Sequence, residues 1–349
     1  MRRRPMQQRK GRIAALLGAL GVAATLVLAL VFREDLWAGY LRYRWSKIDA
    51  VVLDDCDPDY KSPGPRGDAI RFLDAKGNLL FRLGGLNNCE TVGANHGVAL
   101  DPERFRIYLR EIVGRRITAL DSTGRVLFKV EDVDAGALAV DPGSGNLWCA
   151  AGHSLDQGEV LVFDTSGARV ALHPIVGFDI AYSPHDQAFW VVGYGVTKCD
   201  REGRALVQIP KLGRAVVSVA PDPRDGGAWV AERDHDGMRS RNKILRLDAG
   251  GTVTREIALG AQHPFCVSCD PETGMAWLVE MRKSVLRLPV EGPPLPPIAL
   301  PAVAISIGSR KGGIWVSAKD AVYKLNPDGT TAATHELAQA SSQSWIAAP

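Results

Sequence analysis

His96, Glu111, Glu232, His263 and Glu280 are the side chains of this sequence whose types suit chemistry at one shared point. An imidazole can take a proton from a carbon next to a carbonyl, and His96 and His263 fit that role. Carboxylates can hold a divalent cation that stabilises the developing charge, a role for Glu111, Glu232 and Glu280. The sequence offers no His-x-x-x-His or comparable metal spacing, so no metal ligand set is assigned and the catalytic residues stay unknown. The competing reading takes the same five residues as polar groups lining the rim of a solvated channel. Asp234-His235-Asp236 reads as a solvated loop tip.

The elements that must position these residues come from a repeat. Asp74-Ala-Lys-Gly77, Asp121-Ser-Thr-Gly124, Asp164-Thr-Ser-Gly167, Asp200-Arg-Glu-Gly203 and Asp248-Ala-Gly-Gly251 share one turn pattern, with weaker copies at Pro289-Val-Glu-Gly292 and Asn326-Pro-Asp-Gly329. Successive glycines are 47, 43, 36, 48, 41 and 37 residues apart. A repeat of roughly 40–50 residues made of short strands predicts a β-propeller. Each unit lays out as four strands. Strand a ends in Asp-Pro or Ser-Pro, as at Asp101-Pro102, Asp141-Pro142, Ser183-Pro184, Asp222-Pro223 and Asp270-Pro271. Strand b carries an aromatic: Tyr108, Trp148, Trp190, Trp229, Trp277 or Trp315. Those rings are expected to pack between neighbouring sheets, each burying about 150–250 Å².

The chain ends complete the count. Residues 48–53, 69–74 and 79–83 supply strands b, c and d with no strand a before them. Ser344-Trp-Ile-Ala-Ala-Pro349 supplies a strand a with nothing after it. Joined, they form a seventh blade and leave no free sheet edge in the ring. The expectation is an all-β, seven-bladed β-propeller over residues 48–349, its closing blade shared between the two ends. The strand a–b and c–d turns then lie on one regular face. The variable connections, and with them the five candidate residues, lie on the other, where binding loops tend to sit.

Trp229-Val-Ala-Glu232 with Asn242-Lys-Ile-Leu-Arg-Leu-Asp-Ala-Gly-Gly251, and Gly313-Ile-Trp-Val-Ser with Val322-Tyr-Lys-Leu-Asn-Pro-Asp-Gly329, resemble the repeats of NHL-type and streptogramin B lyase-like (virginiamycin B lyase-like) propellers. The resemblance covers about residues 48–349 and implies the propeller fold. Members of those families include binding modules, a lyase that opens cyclic antibiotics, and lactonases. Glu111, Glu232 and Glu280 match the glutamate of the family's tryptophan motif; Ala151, Gly193 and Ala318 stand there in the other blades.

Ahead of the propeller, residues 13–32 form a run of 20 without a charge, and the twelve residues before it carry a charge of +6. A helix of that length spans about 30 Å, the thickness of the bilayer's hydrocarbon. The basic cluster predicts a cytoplasmic tail over residues 1–12, a single transmembrane signal anchor over 13–32 and a periplasmic or extracellular propeller, in a cell inner membrane. Cleavage of the run as a signal peptide is the competing reading, and Leu28-Ala29-Leu30-Val31-Phe32-Arg33 is a poor site for it. Residues 33–47 read as a juxtamembrane helix in which Trp37, Tyr40, Tyr43 and Trp45 suit the membrane interface or a docking surface.

Formal net charge is +3, but residues 51–349 taken alone carry about −4, which argues against a nucleic-acid partner. An external compartment permits disulfides, and Cys56 with Cys89 is the candidate pair. Cys266-Val-Ser-Cys269 has redox spacing, yet residues three apart on a strand face opposite ways, so two packed thiols are expected. Cys149 reads as core. The sequence thus points to a membrane-anchored binding or scaffold subunit with a protein partner and no cofactor. The alternative is a divalent-cation-dependent lyase or lactonase-like hydrolase at the channel mouth.

Overall fold

The computed structural model describes residues 33–54, 69–84, 95–111, 115–154, 157–210, 212, 215–233, 242–260, 264–280, 283–310, 312–319, 321–337 and 344–347. It divides into two units, residues 1–46 and 47–349. In the first, one helix covers Arg33–Trp45, with Arg42 and Arg44 in its last turn, where cations oppose the helix dipole. Tyr40 and Tyr43 are exposed and Trp45 is buried. The expected span over residues 13–32 lies outside the described residues. Among the described residues no helix is long and apolar enough to cross a membrane.

The second unit contains seven antiparallel sheets of four strands. Blades 1 to 6 follow chain order as residues 95–130, 135–173, 179–209, 215–260, 264–299 and 304–336. Blade 7 sets Ser344–Ala347 beside Ala50–Asp54, Ala69–Leu73 and Leu79–Gly84. The closing blade therefore joins the two ends as the sequence predicts, its b strand starting at Ala50 rather than at residue 48. The inner strands touch in a closed ring, with Ser344–Ala347 between Ala304–Arg310 and Asn95–Asp101.

The regular face is built by carboxylate-capped turns. Asp121 Oδ1 accepts the N–H groups of Thr123 and Arg125, and Asp164 Oδ1 those of Ser166 and Ala168. All seven turn glycines adopt positive φ, from 78° at Gly203 to 92° at Gly329, where a side chain would be strained. The Asp-Pro corners repeat the device: buried Asp141, Asp222 and Asp270 each accept the N–H two residues on.

The strand-b aromatics are fully or almost fully buried, as expected. Four of them carry a cation from the next strand that was not foreseen. Lys198 lies over Trp190, Arg246 over Trp229, Arg287 over Trp277 and Lys324 over Trp315, with 4.9 to 5.9 Å between charge and ring centre. Each pair sits directly across the sheet. Three of the cations reach into the following blade: Lys198 Nζ donates to the Gly226 and Ala249 carbonyls, Arg287 to Pro327 and Lys324 to Asp49. A tryptophan and its cation thus both fill the sheet interface and bolt it.

Candidate functional site

A cavity of about 400 Å³ opens in the channel at the end where the inner strands begin, which is the variable face. Its walls come from residues at the start of the inner strands of six blades and from two outward neighbours, Arg110 and Arg233 on strands b. The local cause is a recurring irregularity. The register of the inner strand slips near its start in blades 1, 2, 4, 5 and 6, between Asn95 and Val98, Ala135 and Ala137, Val216 and Ser218, Pro264 and Cys266, and Ala304 and Ser306. Such bulges re-aim side chains. The residues at and just after the slips, among them Gly136, Val217, Ser218, Phe265, Cys266 and Ser306, line the cavity. Gly136 is required by crowding, because a Cβ there would lie 2.5 Å from the Phe178 carbonyl oxygen.

Blade 3 departs from this pattern. Its inner strand pairs in regular register from Asp179 opposite Val192, and Asp179 presents the cavity's carboxylate. Asp179 Oδ1 accepts the Ile180 N–H at 2.9 Å, and Oδ2 accepts the Val219 N–H of blade 4 at 3.0 Å. Burial raises the pKa of this carboxyl above its ordinary value, against the opposing pull of the Val219 N–H, the Ser218 hydroxyl and Arg110. Although part of its surface meets solvent, atoms of neighbouring blades surround it on the protein side. Ser218 in turn accepts the Val267 N–H of blade 5 at 3.3 Å and neighbours the Cys266 sulfur. A polar chain therefore crosses three blades at the cavity floor.

The two arginines are differently placed. Burial pushes the Arg110 guanidinium down to about 10, with Asp179 and Asp134 acting the other way. The Nε atoms of Arg110 and Arg233 are both buried and have no hydrogen-bond partner among the described residues. Burial pushes the Cys266 thiol up to about 12, so it is neutral at physiological pH. The described walls thus hold two cations, one carboxylate that is already hydrogen-bonded, and an apolar surround.

Of the five sequence candidates, only Glu232 and Glu280 have described side chains. Glu111, Glu232 and Glu280 occupy equivalent places near the ends of strands b, opposite Asn95, Val216 and Pro264. Glu232 is buried and paired with Lys243 at 3.5 Å, and Glu280 is buried. Neither lines the cavity. His96 lies in the strand Asn95–Asp101, but its side chain and that of Glu111 are outside the described residues, as is all of His263. Among the described residues no group of three or more His, Cys, Asp or Glu could hold a metal ion. Cys56 and Cys89 also lie outside the described residues. Cys149 is a buried free thiol in the core between blades 1 and 2. Cys266 packs toward blade 6 and Cys269 toward blade 4, two separate layers, as their spacing predicts.

Sequence reasoning missed Arg110, Asp179, Ser218, Arg233 and Cys266 as a set, because the cavity residues come from different blades and share no motif. One signal was available. Asp179 is the charged residue among the openings of the inner strands, the others being Asn95, Ala135, Ala215, Pro264, Ala304 and Ser344.

Fold and site together define a seven-bladed propeller with a charged cavity at one channel mouth. Among solved structures the chain is similar to hydrazine synthase from Kuenenia stuttgartiensis, with a TM-score of 0.53 and 14% identity, covering 68% of this chain and 78% of that one. At that identity the likeness concerns the fold alone. No family model matches the chain, and no curated protein matches it.

Proposed function

We propose that this chain is a membrane-anchored, extracytoplasmic propeller that binds a protein partner on its variable face, as a scaffold or accessory subunit of a membrane complex. The observation that carries the reading is the contrast between the two faces. The regular face is closed by short, internally hydrogen-bonded turns. The variable face of blade 3 instead exposes Val176, Phe178 and Tyr194, at 38%, 45% and 40% of their surface, next to the channel-mouth cavity. Exposed aromatics beside a concave, partly charged surface suit recognition of another molecule. The anchor is supported by the uncharged run over residues 13–32 and the basic residues ahead of it.

The lyase or lactonase-like alternative needs the candidate glutamates to converge in one pocket. Glu232 is instead held by Lys243, and neither Glu232 nor Glu280 faces the cavity. The scaffold reading is tested by purifying the full chain from membranes in mild detergent and identifying what comes with it. A stoichiometric partner is expected. A chain found in the soluble fraction, or one that runs alone as a monomer, would count against the reading.

A further inference from the structure

We propose that the channel-mouth cavity binds a small organic carboxylate with an apolar body, its anionic head received by Arg110 and Arg233. The proposal deepens the preceding one, since it rests on the variable face being the binding face. The size is right: about 400 Å³ lies within the range of small-molecule sites, roughly 300–1,000 Å³. The wall chemistry selects the body of the ligand, because Val98, Leu138, Phe178, Val217, Phe265 and Ile307 make most of it apolar.

Charge selects the head. Two arginines and one carboxylate line the cavity, and two of the carboxylate's acceptor positions are taken by the Ile180 and Val219 N–H groups. Each arginine keeps a buried Nε without a hydrogen-bond partner among the described residues. A guanidinium whose donors are not all used inside the protein favours an acceptor that enters the cavity beside it. The planar guanidinium fork matches a carboxylate in two-point geometry. The described walls carry one net positive charge with Asp179 ionised, which a monoanion balances. A phosphate dianion would leave surplus negative charge beside Asp179. The Cys266 thiol is neutral, so the site as described binds the acid and does not attack it.

Isothermal titration of the full chain in detergent with acetate, benzoate and 4-phenylbutyrate, each beside its amide, and with inorganic phosphate, tests the assignment. Saturable binding is expected for at least one acid with an apolar body, at least about tenfold tighter than for its amide or for phosphate. Arg110→Met should weaken the acid by at least about tenfold. Arg233→Met should do the same if Arg110→Met fails to fold. Equal binding of acid and amide, preference for phosphate, binding of none of the probes, or full affinity in a folded arginine variant would each overturn the proposal. Partner capture is measured on the same samples. A partner without carboxylate binding removes this inference and leaves the scaffold reading, whereas carboxylate binding without a partner does the reverse.

Discussion

The Asp179 carboxylate accepts the Val219 N–H at 3.0 Å, so one side chain of blade 3 is bonded to the inner strand of blade 4 at the channel mouth. The bond joins two roles. It ties neighbouring blades together at the cavity, and it holds in place a carboxylate that balances part of the charge of the cavity's arginines.

That placement has a pH signature. Burial raises the Asp179 pKa, so the folded chain holds this proton more tightly than the unfolded chain does. The resulting stability is fully present below the unfolded value of about 4 and is lost as pH rises through the folded value. Relative to Asp179→Asn, the wild-type Tm should therefore fall as pH rises from about 4 toward neutral. Thermal melts of both proteins across that range check it, and parallel profiles would show that Asp179 is not perturbed.

Ring closure rests on a second buried contact. Lys324 Nζ donates to Asp49 Oδ2 at 2.6 Å and the Trp315 indole N–H donates to the same oxygen at 2.9 Å, which ties blade 6 to the closing blade. Lys324→Met leaves a buried carboxylate without its cation and should cost about 3–5 kcal/mol. Adding Asp49→Asn to that variant should recover part of the loss, as urea unfolding would report.

The thiols give a chemical check on the packing. Burial pushes the Cys266 thiol up to about 12, so at pH 8 almost none of it is thiolate. Intact-mass kinetics with iodoacetamide should show Cys266 reacting far more slowly in the native protein than after denaturation. Mild oxidant should not join it to Cys269, which lies in another layer of the core. Fast native labelling, or a bond between the two, would mean that the inner strand of blade 5 is arranged differently.

The turns show why the fold was legible in the sequence. An aspartate that accepts two backbone N–H groups and a glycine with positive φ are local requirements, so Asp121-Ser-Thr-Gly124 and its copies mark a blade wherever they occur. Trp229 and Trp277 were equally readable as packing between sheets. The cations over them escaped notice because Arg246 and Arg287 meet their rings across strands, by register rather than by spacing. The cavity was hidden more deeply. Arg110, Asp179, Arg233 and Cys266 belong to four blades and meet only when the ring closes. Glutamates conspicuous in the chain, such as Glu232, proved to serve a neighbouring strand.

The account turns on the variable face being the one that meets a partner. A photo-crosslinking amino acid placed at exposed Tyr194, and in a separate protein at exposed Ser166 on the regular face, tests this in native membranes. A specific cross-linked partner from position 194 and none from position 166 is the predicted result. Cross-linking from position 166 alone, or from neither position, would contradict it.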